Sequence, residues 1–266
     1  MKREFCRKLT FVVSCSILVF SILGVMLVFA TASEGNHKHV TVNGKDYEYF
    51  ADIKEGYKSL RAGTYIGLTK GSPQAGLMAA LPRVYDSNGY LYASAKEWEY
   101  SGPKTVGMNV PIFAEHNGSY YSHGKVKIYN GNGYNTYYTY KSPIMTLRDG
   151  RKPLSLYITT EHIDDSGYEV NSNGETYGSG SKEAILGVAP DLIKARGVDG
   201  TLGYVRSEDI EPEAAENPEE AVKMMERQKS DDVKIVPLYK VDGKTIIGEF
   251  KLETISEKDI IKIEEK

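Results

Sequence analysis

The chain has 266 residues, 33 Lys+Arg against 36 Asp+Glu, twenty tyrosines, one tryptophan and two cysteines. A net charge of −3 without a dense basic tract supplies no counterion-releasing surface, which argues against nucleic acid as a partner. Both cysteines, Cys6 and Cys15, lie in the first 32 residues, so the rest of the chain has neither disulfide nor thiol chemistry.

Residues 1–32 read as a signal peptide or an N-terminal anchor. Lys2, Arg3, Arg7 and Lys8 face one acid, Glu4, and Leu9 to Ala32 then runs 24 residues without a charge. A basic start followed by an apolar run is the pattern of an export leader, and Ala30-Thr31-Ala32 before Ser33 is a small-x-small cleavage site. The run also exceeds the roughly 20 residues that span a bilayer, so residues 9–32 hold the chain in a membrane if they stay uncleaved. Either way the body is expected outside the cell: secreted, cell-wall associated, or anchored with the body outside. A lipoprotein reading of Cys15 fails because most of the apolar run follows it. Export without cysteine suits a wall or extracellular space lacking disulfide machinery.

Residues 33–182 read as a Tyr/Gly/Asn-rich antiparallel β domain. "HVTVNGKDYEYF" alternates Val40 and Val42, turns at Asn43-Gly44, and alternates Tyr47 and Tyr49. "VYDSNGYLYA" repeats the scheme around Asn88-Gly89, and "KVKIYNGNGYNTYYTYK" does so again, with Tyr134, Thr136, Tyr138 and Tyr140 on one alternating face. "LSLYITTEHI" and "YEVNSNGETY" add further strands. Short strands separated by such turns predict a mainly β fold, an antiparallel sandwich or barrel.

Residues 183–266 read as a small acidic α+β module. Pro190 placed before Asp191–Ala195, with Gly197 after it, predicts a short helix. "LGYVRSEDI" predicts a strand. Asn217, Pro218 and Glu220 open a second helix with a capping box, running to about Gln228. "KIVPLYKVDGKTIIGEFKLE" is a hairpin turning at Asp242-Gly243. This part also carries the acidity: residues 207–266 hold 10 basic and 17 acidic groups.

Two stretches resemble known proteins. "GYVRSEDI" is similar to the closing strand of bacterial SH3-like wall-associated modules. "VPLYKVDGKTIIGEFKLE" resembles the C-terminal end of uncharacterised exported proteins of Gram-positive bacteria. What the resemblance implies is a compartment, the outer face of a Gram-positive cell, and no activity.

Motifs for chemistry are sparse. His37-x-His39 with Glu34, His116 and His123 around the Tyr-rich loop, and His162 among Glu161, Asp164 and Asp165 are the candidate metal ligands. No H-E-x-x-H or calcium-loop pattern joins them, so surface histidines and no metal or cofactor are expected. Ser101-Gly102-Pro103-Lys104 matches S-x-x-K, but Gly-Pro at its centre predicts a loop rather than the helix that brings serine and lysine together. Glu97 and Glu99 flank Trp98, and as i and i+2 on a strand they would share a face, the arrangement a glycan hydrolase needs; the plain alternative is a solvated pair around a buried Trp98.

The tyrosines concentrate in the β domain, eighteen of them between 47 and 177. Core packing and an exposed contact face both account for "YNTYYTY", since its rings fall on both sides of one strand. The leading functional expectation is an exported, non-enzymatic protein with a binding or structural role at the cell envelope, toward wall glycan or an envelope protein. Its expected contact face is Tyr120, Tyr121, Asn132, Tyr134, Asn135, Tyr137, Tyr138 and Tyr140, because tyrosine with amide neighbours makes adaptable surfaces. The alternatives are an extracellular hydrolase of wall polysaccharide using Glu97, Glu99 or Asp164, and a secreted effector or bacteriocin-like factor.

Overall fold

Asn43 and Gly44 both adopt left-handed backbone, with φ of 50° and 71°, as a two-residue turn between twisted strands requires. They join β1 (Lys38–Val42) to β2 (Lys45–Glu55) in the predicted hairpin. The computed structural model describes residues 34–56, 58–148, 151–156, 166–227 and 233–253, all within one unit. Ala30, Ala32 and Ser33, and the Glu161–Asp165 cluster, lie outside the described residues.

β3 (Leu60–Lys70) continues from β2, and the chain then runs through β4 (Met78–Leu81), β5 (Arg83–Asp86), β6 (Leu91–Ser94), β7 (Glu99–Tyr100), β8 (Gly107–Ala114), β9 (Gly118–Ser122), β10 (Lys125–Tyr129) and β11 (Tyr134–Tyr138). β12 (Ile144–Arg148), β13 (Arg151–Leu156), β14 (Glu169–Val170) and β15 (Thr176–Gly178) follow. A 3₁₀ turn (Gly180–Lys182) and α1 (Glu183–Leu186) lead into β16 (Leu192–Arg196) and β17 (Leu202–Arg206). Then come α2 (Ser207–Ile210), α3 (Pro218–Arg227), β18 (Lys234–Tyr239) and β19 (Ile246–Leu252).

The strands form open sheets, so the fold is mainly β and sandwich-like. The first sheet has the order β1-β2-β3-β8 and the second β11-β10-β4-β7. The third runs β13-β12-β9-β5-β6-β16-β17-β18-β19, with the β14–β15 hairpin also on β16. One face of the first sheet covers the other two. Tyr47, Tyr49, Ile66 and Val110 pack on Met78, Ala80, Val126 and Ile128 of the second sheet, while Ile53, Leu60, Ala62 and Ile112 pack on Val84, Ala93, Tyr120 and Met145 of the third. Burying a full Leu, Ile, Val or Met side chain stabilises by about 1.5–3 kcal/mol, so these layers hold the strands together far more than β-propensity does.

One expectation needs correction. Asp191–Ala195 is not a helix: Leu192–Arg196 is strand β16, with Leu192, Ile193 and Ala195 fully buried. Five residues make a marginal helix, whereas this segment pairs with β17 along its length and touches β6 and β15 in parallel. The Asp191 carboxylate accepts from the N–H and hydroxyl of Thr176 at 2.7 and 2.8 Å and fixes the strand's entry. These two parallel pairings make the third sheet mixed rather than wholly antiparallel. That sheet also passes through the 182/183 boundary: Ala195 pairs with Leu91, and Ala95 bridges Glu253.

The second helix matches its prediction closely. Asn217 Oδ1 accepts the N–H of Glu220 at 2.9 Å, and the Glu220 carboxylate accepts the N–H of Glu216 at 2.8 Å. Ala221, Met224 and Met225 lay α3 against a cluster containing Trp98 and Tyr100. Among the described residues no helix is long and apolar enough to cross a membrane.

Candidate functional site

Register places the tyrosines of β11 first. Tyr137 stands opposite Val126 and leans into the core under the first sheet, its ring 5.8 Å from that of Tyr49. Tyr134 and Tyr138 point the other way. Tyr134 donates to the Gly76 carbonyl and its ring lies 5.8 Å from Tyr100, while Lys125 Nζ lies 5.6 Å from the Tyr138 ring centre. Burial pushes the Tyr138 phenol up to about 12. The two-sided pattern therefore comes from two packed faces.

Tyr120 and Tyr121, expected in the contact face, are 3% and 4% exposed and belong to the core. They sit in β9, between β5 and β12, where both faces are covered. Their hydroxyls donate inward, to the His116 carbonyl and to Ser181 Oγ. Tyr140, at 41% exposure with Lys38 Nζ 4.2 Å from its ring, remains on the surface with Asn135 and the turn residue Asn132.

The other expected sites separate as well. Trp98 is buried, 1% exposed, but Glu97 precedes the strand that begins at Glu99, so the two carboxylates share no strand face. Ser101 is buried, its Oγ accepting from the N–H of Met78, and Lys104 is exposed on a loop. His123, expected at the surface, is 2% exposed. Burial, reinforced by Arg83, Lys141, Lys38 and Lys125, lowers its pKa to about 3, so its imidazole is neutral at ordinary pH.

His123 borders a buried charge cluster that has no sequence motif. Arg83, in β5, meets Glu183 at 3.2 Å, and Lys125, in β10, meets Glu183 at 3.0 Å and Glu211 at 2.8 Å. Burial alone would raise the Glu211 carboxyl, but Lys125 and Arg83 outweigh it and hold the group below its ordinary value. The Arg83 guanidinium is raised on balance, since Glu183, Tyr85 and Glu211 overcome its burial. Gly180 admits the cluster: a Cβ there would stand 2.7 Å from the Tyr85 hydroxyl and 3.3 Å from Glu183 Oε1. Arg83, Lys125 and Glu183 are buried, charges that are costly unless they match, and Glu211 at the exposed end completes two cations against two carboxylates. The arrangement ties α1 and the start of the α2–α3 linker to β5 and β10. Its carboxylates are committed to ion pairs, so it serves as a lock between elements.

A space of about 300 Å³ opens beside Arg83, Lys125 and Glu211, and a larger cleft of about 840 Å³ is formed by the β5–β6, β8–β9 and β16–β17 turns and by β19. The walls of this cleft combine aromatic residues with polar turns. The Tyr92 hydroxyl lies 2.6 Å from His116 Nδ1, and the Tyr92 and Tyr120 rings meet edge to face at 4.8 Å. Phe113, partly exposed, lines the same space. Opposite, Asp86 Oδ1 accepts the N–H groups of Asn88 and Tyr90, and its Oδ2 accepts from Arg196 at 2.9 Å. The N–H and hydroxyl of Thr201, each at 2.9 Å, hold the Asp199 carboxyl below its ordinary value. Lys251 pairs with Glu253 at 3.3 Å. Glu115, exposed at the rim, keeps its carboxylate free of ion pairs among the described residues.

Comparison with known protein families, with curated proteins and with solved structures finds no match in any of the three.

Proposed function

We propose that this is an exported protein of the cell envelope or extracellular space with a non-enzymatic binding role, and that it takes a hydroxyl-rich ligand of the wall-glycan class into the cleft at Tyr92, Phe113 and Glu115. The observation that carries this reading is the cleft itself. At about 840 Å³ it falls in the range of small-ligand sites, and it sets aromatic surface beside turns rich in carboxylate, amide and hydroxyl groups. Sugars offer the matching chemistry, C–H faces for the rings and hydroxyls for the rim. The export half of the reading rests on the basic start and the 24 uncharged residues after it.

Binding is favoured over hydrolysis by the state of the carboxylates. A glycosidase needs two at a defined separation, one of them kept protonated by a raised pKa. Here Asp86, Asp199 and Glu253 are engaged by Arg196, Thr201 and Lys251, and Asp199 is shifted downward. Glu115 stands without such a partner.

The test is retention of the full chain on purified bacterial cell walls, with calorimetry on soluble wall-glycan fragments. Phe113→Ala and Glu115→Gln should each weaken binding roughly tenfold, the usual loss at an aromatic or charged anchor. Retention untouched by both changes but lost in Tyr140→Ala would move the contact to the hairpin. No retention by the unaltered chain would remove the glycan reading.

A further inference from the structure

The cleft carries more negative charge than its own residues neutralise. Asp86, Glu115, Asp199 and Glu253 line it, against Arg196 and Lys251 among the lysines and arginines. Arg196 is taken up by Asp86 at 2.9 Å and Lys251 by Glu253 at 3.3 Å. Asp199 is held by the neutral N–H and hydroxyl of Thr201, and Glu115 has no ion pair among the described residues, so both keep their charge unmatched. Glu115 is the one beside the aromatic wall. Its backbone N–H donates to the Tyr92 hydroxyl at 3.4 Å, and Phe113, two positions earlier in β8, lines the same space. Burial chiefly raises the Tyr92 phenol, and the Glu115 and Glu253 carboxylates raise it further. Both acids therefore act on the side of the cleft where the rings stand.

We propose that the cleft selects a wall glycan bearing free amines, a de-N-acetylated amino sugar, with Glu115 receiving the ammonium and the Tyr92 and Phe113 rings covering the sugar. This rests on the glycan reading of the same cleft. An ammonium is drawn to a carboxylate by a charge-assisted hydrogen bond and to the face of an aromatic ring, and both partners stand here on one wall. A cleft with an excess of one sign also concentrates ligands of the other sign at its mouth. An acetamide offers Glu115 only a neutral N–H and leaves part of its desolvation uncompensated, which widens the difference between the two sugars. The same excess opposes wall polymers carrying phosphate or carboxylate, which bring like charge to Glu115 and Asp199.

The experiment is calorimetry of the full chain with two probes of equal length, a tetramer of N-acetylglucosamine and its fully de-N-acetylated counterpart, repeated on F113A, E115Q and E226Q. The de-N-acetylated tetramer should bind at least about tenfold tighter, the difference expected from one charge-assisted hydrogen bond, and its advantage should shrink as salt rises. E115Q should remove most of that advantage, and F113A should weaken both probes alike. E226Q, which changes an exposed acid of α3 that does not line the cleft, should alter neither. Equal affinity for the two probes, or preference for the acetylated one, overturns the amine inference and leaves the glycan reading standing. So does an advantage that survives E115Q or falls equally in E226Q, which would reduce it to attraction by the net charge of the chain. Binding of neither probe also overturns it, and loss of wall retention as well would remove the glycan reading beneath it.

Discussion

His123 shows what a single position contributes when it is buried without a charge partner. Its Nε2 makes no hydrogen bond among the described residues, and four cations, Arg83, Lys141, Lys38 and Lys125, oppose its protonation. The folded pKa of about 3 lies below the ordinary 6.5 of an unfolded chain. Between those values the unfolded chain holds a proton that the folded one does not. Stability is therefore full above about pH 7 and falls as pH drops toward 3, by at most about 1.4 kcal/mol per pH unit. Glu211 works in the same direction only at more acidic pH, where its carboxylate begins to protonate. Urea midpoints between pH 7 and 5 should accordingly fall in the unaltered protein and flatten in His123→Gln. Parallel curves would assign the proton elsewhere. Little of this is legible from "SHGK": it contains Lys125, but the burial and the other three cations, Arg83, Lys141 and Lys38, come from elsewhere in the chain. Arg83 hides for the same reason: its partner Glu183 lies 100 positions away.

At the scale of an element, β11 replaces an aromatic surface with aromatic packing. Tyr137 fills space beside Tyr49, whereas Tyr140, just past the strand's end, is 41% exposed. Tyr137→Ala should thus cost about 2 kcal/mol, somewhat less than a fully buried ring, and Tyr140→Ala less than about 1 kcal/mol. Denaturant midpoints of the two variants decide it; equal midpoints would return Tyr137 to the surface. Hairpins were readable from sequence because their turns are local. Asn43-Gly44 and Asp242-Gly243 carry their own conformation, with positive φ at Asn43, Gly44 and Gly243. β16 was not readable, since a five-residue segment becomes a strand only by pairing with residues near 91, 177 and 204. The His37–Glu48 hydrogen bond has both kinds of origin: His37-x-His39 is visible in the sequence, and Glu48 meets it only through register.

At the scale of the whole molecule, the third sheet places the later strands in the same sheet as the earlier ones. Phe250 and Leu252 of β19 share a buried cluster with Tyr85, Leu91 and Tyr121, and the lone tryptophan packs near Ala215 and Ala221. Unfolding followed by Trp98 fluorescence and by far-ultraviolet circular dichroism should give one transition. Phe250→Ala should shift both signals together by about 3–5 kcal/mol. A tryptophan transition that stays in place would mean that residues 33–182 fold by themselves, as their strand-and-turn texture suggests. Texture reports local composition, while the joint between β6 and β16 is non-local.

That joint also imposes an order of events. A chain emerges from its N-terminus, and β6 is made roughly 100 residues before β16 and roughly 160 before the bridge from Ala95 to Glu253. At synthesis rates of about 5–20 residues per second, an apolar strand edge waits roughly five to thirty seconds for its neighbours. Through that interval Leu91 and Ala93 are open to the same strand of another nascent chain. The newborn protein is thus open to mispairing at Leu91 and Ala93, a place the finished one buries.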